Sequence, residues 1–441
     1  MQDDGWPFLL WADTFWAGNT ARAGLENGDG AFFEYLNDRR EKGFTALLLQ
    51  TVHGFGDYPD DPEGHANEGG HMLLDRDFGR LNPDYFDYTD RRWAAIFEHG
   101  FVIASPLMWW GKTKTCAFNP EQARQLASYL ATRYGAFNVI WALSGEYQYV
   151  FRDCGWTEGD IDALGAAVQA HNAYRRPVSI HPSGQTRWPE PHGVQSSRPF
   201  QQSSWLDHHW LQTGQSVDRM FWIVERAEEN RALEPSRPVF CSEAYYERAD
   251  DPEGAYHSRW QAWTALLSGC AGYGYGAQGL WQFRDESFEE PGKLVPHTVE
   301  WREAMRLPGS AQAGLVAKLM QPLKWYRLEP AREALRVDGR PAGKPTAEDL
   351  TPPTHAEIAG ELHAAYLPRG NGGRHIEIED DGVFEMEWID PRTGEKSAPI
   401  ALTASGGVIA LPERPNPEED WVAILQKAGT GKSDSPQDGA R

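Results

Sequence analysis

Two glutamates stand where a chain builds its most buried segments. The apolar run Asn138–Leu143 ends in Ser144, Gly145 and Glu146, and "PVFCSEA" (238–244) ends on Glu243 and Ala244. A carboxylate closing a core strand is costly unless it is paired or works with a partner. Two such acids facing one centre can split a glycosidic bond. One attacks the anomeric carbon and the other protonates the leaving oxygen, with about 5–5.5 Å between them for retention and about 6.5–9.5 Å for inversion. The competing reading is a pair of strand-end salt bridges to arginine.

The surroundings divide the roles. Glu146 is hemmed by Tyr147, Tyr149 and Trp141, an environment that disfavours the ionised form and suits a general acid. Glu243 follows Ser242 and suits a nucleophile held as carboxylate. Other polar strand ends are candidates for binding substrate hydroxyls: Asp13, Gln50, His181, His208 and Gln212. His181 is also placed to orient a carboxylate. His208 and His209 alternate in facing, so at most one of them looks inward. Trp16, Trp109, Trp110, Tyr275 and Trp281 are candidates for stacking on sugar faces, with core packing the alternative for each. "HANEGGH" (65–71) reads as a solvated loop. No metal site is expected, because no HExxH or CxxC spacing occurs, and the absence of GxSxG argues against a hydrolase serine.

Such residues need a frame. From the N-terminus to about residue 326, apolar runs alternate with amphipathic stretches. The runs are 7–13, 44–50, 101–110, 138–146, 177–181, 204–212, 238–244 and 271–283. Helices are expected near 31–42, 89–99, 157–173, 216–232 and 254–268, and after Asn119-Pro120, a capping residue and first-turn proline. Continuously apolar runs imply strands covered on both faces and therefore parallel. Eight such units predict a (β/α)8 TIM barrel, whose strands all end at one rim. A doubly wound sheet is the rival, but no glycine-rich phosphate loop follows the first strand. Strands four and seven face each other across the rim, which brings Glu146 and Glu243 together.

Beyond Trp325 the pattern changes. Residues 336–360 read as an irregular insertion. Period-two alternation follows in Leu362, Ala364, Tyr366, then Phe384, Met386, Trp388, then Val422 and Ile424. This predicts a small antiparallel β-sandwich over 327–427, after the barrel of 1–326, and a disordered tail at 428–441.

Composition sets the bounds. The 441 residues carry a formal charge of −22, which disfavours nucleic acid and anionic membranes as partners. No apolar run approaches the roughly 18 residues of a membrane span. The acidic start "MQDDGWPFLL" lacks the basic region of a signal peptide, so either the protein stays inside the cell or a leader has been removed. Four scattered cysteines give no disulfide framework. Free buried thiols are expected, with a Cys116–Cys154 bridge as the alternative. The 19 tryptophans against 7 methionines suit a protein with stacking surfaces for sugars. Monomer and homo-oligomer are equally compatible with the chain.

Several blocks resemble one family. "PFLLWADTFW" (7–16), "DRREKGFTALLLQ" (38–50), "YLATRYGAFNVIWALSGE" (129–146), "IHPSG" (180–184), "WLDHHWLQTG" (205–214), "RPVFCSEAYYE" (237–247) and "GYGYGAQGLWQF" (272–283) resemble the apiosidase-like (β/α)8 domain of glycoside hydrolase family 140. "FEMEWIDPRTGE" (384–395) resembles the small sandwich that often follows it, labelled a collagen-binding domain. The resemblance covers the chain to about residue 427. It implies a retaining, exo-acting glycoside hydrolase on a plant, algal or microbial polysaccharide fragment, with no cofactor. It places the acid/base on Glu146, the nucleophile on Glu243 and an acidic strand-one residue on Asp13. The family's strand-four motif is Gly-Gly-Asp-like, whereas this chain has Ser-Gly-Glu, so the linkage does not carry over. The alternative is a non-catalytic carbohydrate-binding barrel.

Overall fold

The computed structural model describes residues 6–25, 30–52, 66–74, 80–110, 116, 118–184, 195–285, 297–370 and 375–429. Eight parallel strands form the first sheet: β1 (Leu10–Thr14), β2 (Ala46–Leu48), β3 (Val102–Pro106), β4 (Val139–Ala142), β5 (Val178–Ser179), β6 (His209–Gln212), β7 (Val239–Glu243) and β8 (Gly272–Tyr275). Their order is β5-β4-β3-β2-β1-β8-β7-β6. The seam between β5 and β6 closes through Asp207 N–H donating to the Val178 carbonyl (2.8 Å) and Ser179 Oγ donating to the His208 carbonyl (2.6 Å). The result is the expected TIM barrel.

Helices wrap it: α1 (Ala31–Lys42), α2 (Pro83–Glu98), α3 (Pro120–Tyr134), α4 (Gln148–Cys154), α5 (Glu158–His171), α6 (Trp222–Arg231), α7 (Gly254–Leu267), α8 (Trp301–Met305) and α9 (Pro308–Met320). Asn119 caps α3, its side chain accepting from Gln122 N–H while Gln122 answers on the Asn119 N–H. Asn82 and Pro83 start α2 by a similar device, six residues before the expected start. Among the described residues, no helix is long and apolar enough to cross a membrane.

Alternation along the strands divides two cores. Leu10, Ala12, Ala46, Leu48, Ala104, Ala142, Trp210 and Phe240 fill the barrel interior. Trp11, Leu47, Ile103, Trp141 and Cys241 face the helices. Gly272 and Gly274 on β8 leave room for the interior side chains. A Cβ at Gly272 would meet Phe240 at 2.9 Å, and one at Gly274 would meet Leu48 at the same distance.

The helix α4 was not expected, and it changes the cysteine assignment. Its last residue, Cys154, is bridged to Cys116 with Cα atoms 5.4 Å apart, so the expectation of four free thiols is corrected to two, Cys241 and Cys270. A helical turn after the Glu146 segment brings Cys154 back to the chain beyond β3, which linear spacing does not show.

The C-terminal region holds β9 (Glu329–Pro330), β10 (Leu335–Val337), β11 (Arg340–Pro341), β12 (Thr354–Ile358), β13 (Leu362–Leu367), β14 (Ile376–Glu379), β15 (Val383–Ile389), β16 (Ile400–Thr403), β17 (Val408–Ala410) and β18 (Trp421–Lys427). They form a six-stranded and a four-stranded antiparallel sheet, the expected sandwich. The supposed irregular insertion at 336–360 supplies β11, β12 and part of β10.

The sandwich is fused to the barrel by polar and apolar contacts. Arg259 on α7 donates twice to the Asp420 carboxylate, both at 2.7 Å, and the Tyr366 hydroxyl donates to the same group at 2.8 Å. Burial opposes ionisation of Asp420, but these donors outweigh it and hold the acid below its ordinary range. Ala356, Ile358, Leu362 and Tyr366 join the core between barrel and helices.

Candidate active site

At the C-terminal rim of the barrel lies a cavity of about 300 Å³. Glu146 and Glu243 both line it, with Trp16, Trp109, Tyr149, Gln212, Gln215, Arg219, Tyr246 and Trp281. Each acid reaches the cavity through a break in regular backbone. Val239 and Cys241 on β7 face the helices, so unbroken alternation would send Glu243 the same way. Instead the register with β6 jumps from Leu211↔Cys241 to Gln212↔Glu243, passing over Ser242. This bulge re-aims the side chain inward. Glu146 follows β4 in a left-handed conformation, φ 38°, that only an over-determined site sustains in a non-glycine residue. Its neighbour Gly145 must lack a side chain, because a Cβ there would lie 2.0 Å from the Trp109 ring.

The hydrogen bonds differ between the acids. Trp109 Nε1 donates to Glu146 at 3.3 Å. Glu243 accepts from three directions. His181 Nε2 lies 3.1 Å from one oxygen, Gln215 Nε2 donates to the other at 3.1 Å, and the Tyr246 hydroxyl also bonds to it. His181 Nδ1 lies 3.1 Å from Ser242 Oγ, whose hydroxyl donates to the Leu211 carbonyl at 2.8 Å. Burial, then the nearby Glu243 charge, push the Tyr246 phenol well above its usual range. Tyr246 therefore stays a donor, and it accepts in turn from Trp16 Nε1 at 2.9 Å. A second relay runs from Trp281 Nε1 to Gln278, from Gln278 to Gln215, and on to Glu243.

The ring environment of Glu146 differs from the expected one. Trp141 packs on Trp93 in the helical layer, 6.0 Å between centroids, and Tyr147 Oη donates to the Ser196 carbonyl. Tyr149, named with them, does line the cavity, and Trp109 joins it there.

Of the expected substrate contacts, Trp16, Trp109, Gln212 and Trp281 line the cavity, and His181 stands behind Glu243. Five lie elsewhere. Asp13 follows Trp11 in alternation and faces α1, where Arg39 and Tyr35 bond its carboxylate in full burial. Tyr275 faces outward likewise and bonds Glu247, which also accepts from Gly309 N–H. Trp110 turns into the core, its Nε1 donating to the Leu143 carbonyl at 2.8 Å, while its neighbour Trp109 takes the cavity wall. Gln50 is fully buried and is not part of the cavity wall. His208 sits at the opposite end of β6 from Gln212, accepting from Trp210 Nε1, and burial pulls its pKa down to about 3. His209 lies between Ser197 and Gln201.

Gln215, Arg219 and Tyr246 were not anticipated. Tyr246 lies three residues past Glu243 in "SEAYYE", a position visible only once strand seven is credited with a site. Gln215 and Arg219 follow Gly214, whose φ of 86° turns the chain over the rim, and no spacing announces that. Of the long rim loops at 53–84 and 184–203, residues 53–65, 75–79 and 185–194 lie outside the described residues, and so do Arg76, Arg187, His65 and the tail from 430. Arg80 and Arg198 are described and are not part of the cavity wall.

Two acids thus stand at the rim ends of β4 and β7 of the barrel. The sequence model of the apiosidase-like catalytic domain matches residues 1–327, and the chain belongs to that family. This membership supports glycosidase activity. Solved structures share the fold. One described as a glycoside hydrolase is 19% identical, with 98% of this chain and 95% of that chain covered and a TM-score of 0.76. A family 5 glycoside hydrolase from Bacteroides vulgatus is 19% identical over 98% and 92% of the two chains, TM-score 0.77. A family 5 subfamily 18 protein from Bifidobacterium longum, solved with Manβ1-4GlcNAc, is 14% identical over 71% and 78%, TM-score 0.52. No curated protein matches the sequence.

Proposed function

We propose that the protein is a retaining, exo-acting glycoside hydrolase on an oligosaccharide derived from a plant, algal or microbial polysaccharide. One observation carries this reading: Glu146 and Glu243 share a single cavity walled by Trp16, Trp109 and Trp281. Glu243 attacks the anomeric carbon while Glu146 gives its proton to the departing glycosidic oxygen. The glycosyl ester is then cleaved by water, whose proton returns to Glu146. His181, Gln215 and Tyr246 hold the Glu243 oxygens in line, and the indoles offer apolar faces to the sugar ring. The small volume, at the lower end of the roughly 300–1,000 Å³ range of ligand pockets, supports binding of a terminal residue. Within the family 140 resemblance, the longer Glu146 favours a linkage other than that of Asp-bearing members. The sandwich, joined through Arg259 and Asp420, serves as a brace for the barrel rather than a collagen-binding module.

The test is a panel of aryl glycosides and oligosaccharides with Glu243→Gln and Glu146→Gln. Glu243→Gln is expected to lose roughly 10⁴-fold or more in turnover, and Glu146→Gln roughly 10²–10⁴-fold, both folding normally. NMR of the first-formed product should show the anomeric configuration of the substrate. Full activity in either variant rejects the assignment, and inversion rejects the nucleophilic role. Sugar binding without any cleavage by the parent protein would make it a carbohydrate-binding barrel.

A further inference from the structure

The hairpin β12–β13 carries three polar side chains on one face of the sandwich. Glu357 pairs directly across the strands with His363, and His355 lies two residues from Glu357 on the same side. Both histidines are fully buried, a setting in which every ring nitrogen needs a partner. The outer nitrogens have theirs. His355 Nδ1 lies 2.8 Å from the Ala331 carbonyl, which only accepts, so Nδ1 carries the hydrogen. His363 Nε2 lies 2.9 Å from Asp380 Oδ2 and donates to it.

The inner atoms are left facing one another. His355 Nε2 and His363 Nδ1 are 3.3 Å apart, and Glu357 Oε2 is 3.3 Å from the same His363 nitrogen. In the neutral rings these are three electron-rich atoms with no hydrogen among them. All lie within 4.8 Å of one another. A cation must relieve that contact: either a proton on His363 or a metal. The spacing suits a metal. Two nitrogen ligands about 2.0–2.1 Å from a tetrahedral zinc ion are about 3.3–3.4 Å apart, the edge of the tetrahedron. The outer bonds also match what metal-bound histidines make, one to a backbone carbonyl and one to a carboxylate. Glu357 and Asp380 keep a quarter and a sixth of their side chains exposed, which leaves a path from solvent.

We propose that His355, Glu357 and His363 form a binding site for a divalent transition-metal ion, best matched by Zn²⁺, with water as the fourth ligand and Ala331 and Asp380 fixing the rings. Two imidazoles and one carboxylate exclude Mg²⁺ and Ca²⁺, which take oxygen ligands. The ion joins β12 to β13 beneath the turn that carries Asp380, and its role is structural. This inference stands apart from the hydrolase reading, because none of these residues lines the rim cavity.

The full-length protein, stripped with a chelator and dialysed, would be titrated with Zn²⁺ against a chromophoric competitor at pH 7.5. One tight equivalent per chain is expected, and Co²⁺ in its place should give the intense visible bands of a four-coordinate ion. Glu357→Gln, at a partly exposed position that tolerates an amide, should weaken binding at least about tenfold, and Asp380→Asn about 10–100-fold. His363→Gln should abolish the site. If the protein takes up no stoichiometric zinc, or if Glu357→Gln and Asp380→Asn bind it as tightly as the parent, the site is a protonated His363 between two carboxylates and the proposal is wrong.

Discussion

Strands β1 and β7 are each five residues long, fully buried, and carry an acid near the rim, yet those acids have opposite fates. In β1 the alternation is unbroken. Leu10 and Ala12 enter the barrel interior, Trp11 meets the helices, and Asp13 follows Trp11 to a buried ion pair with Arg39. In β7 the same rule would carry Glu243 outward after Cys241. The bulge at Ser242 shifts it by one place, and the acid enters the cavity. The residue type states what chemistry is available; the backbone irregularity decides whether it reaches a substrate. A regular strand end buries its charge among the helices, and a broken one presents it to the cavity.

Paired neutralisations test that contrast most strongly. Glu243→Gln should remove roughly 10⁴-fold or more of turnover while the melting temperature stays within a few degrees of the parent. Asp13→Asn should do the reverse. It removes the fully buried partner of the Arg39 guanidinium and leaves it the partly exposed Asp38 as counter-charge, a loss toward the lower end of about 3–5 kcal/mol in urea unfolding, with turnover per folded molecule preserved. If Asp13→Asn instead loses turnover at full stability, the division between regular and irregular strand ends fails.

A smaller effect should come from the other broken strand end. Gly145→Ala puts a methyl group into the Trp109 ring, and that indole contacts both Glu146 and Trp16. The variant should lose roughly 10–100-fold in kcat/KM through displacement of the acid, with about 1–3 kcal/mol of overpacking in its unfolding free energy. Unchanged kinetics would mean that Glu146 does not depend on the indole for its position.

How far the chain could be read follows from the same distinction. Eight continuously apolar runs gave the barrel, because strands covered on both faces have no other composition. The start of α2 was missed, although Asn82-Pro83 signals it as Asn119-Pro120 signals α3. The helix α4 hid in "QYVFRDC", too short and too polar for a 3.6-residue rhythm, and with it the Cys116–Cys154 bridge. At the rim, Glu146, Glu243, Trp16, Gln212 and Trp281 were named and line the cavity. Asp13 and Tyr275 were named and do not, since both obey alternation. That same rule applied consistently would have discarded Glu243, whose bulge has no signature in "VFCSEA". The choice between Trp109 and Trp110 likewise rests on one backbone direction. His355 and Glu357 were passed over inside a segment read as irregular, where period-two spacing had no strand to belong to.

The lateral supports of Glu243, the proposed nucleophile, give the smallest expected change. Gln215 is exposed at the rim and lies outside any strand, yet its amide donates to Glu243 at 3.1 Å and accepts from Gln278 at 2.8 Å. His181, by contrast, is buried beneath the same carboxylate and fixed by Ser242. If the bulge and the buried imidazole set the aim of Glu243, an exposed amide adds one hydrogen bond of about 1 kcal/mol, so Gln215→Ala should cost roughly fivefold in kcat/KM with stability unchanged. His181→Ala should cost more and move the acidic limb of the pH–rate profile, because it removes the donor opposite the reacting face. A Gln215→Ala loss matching that of His181→Ala would shift the aiming of the acid from the strand to the loop.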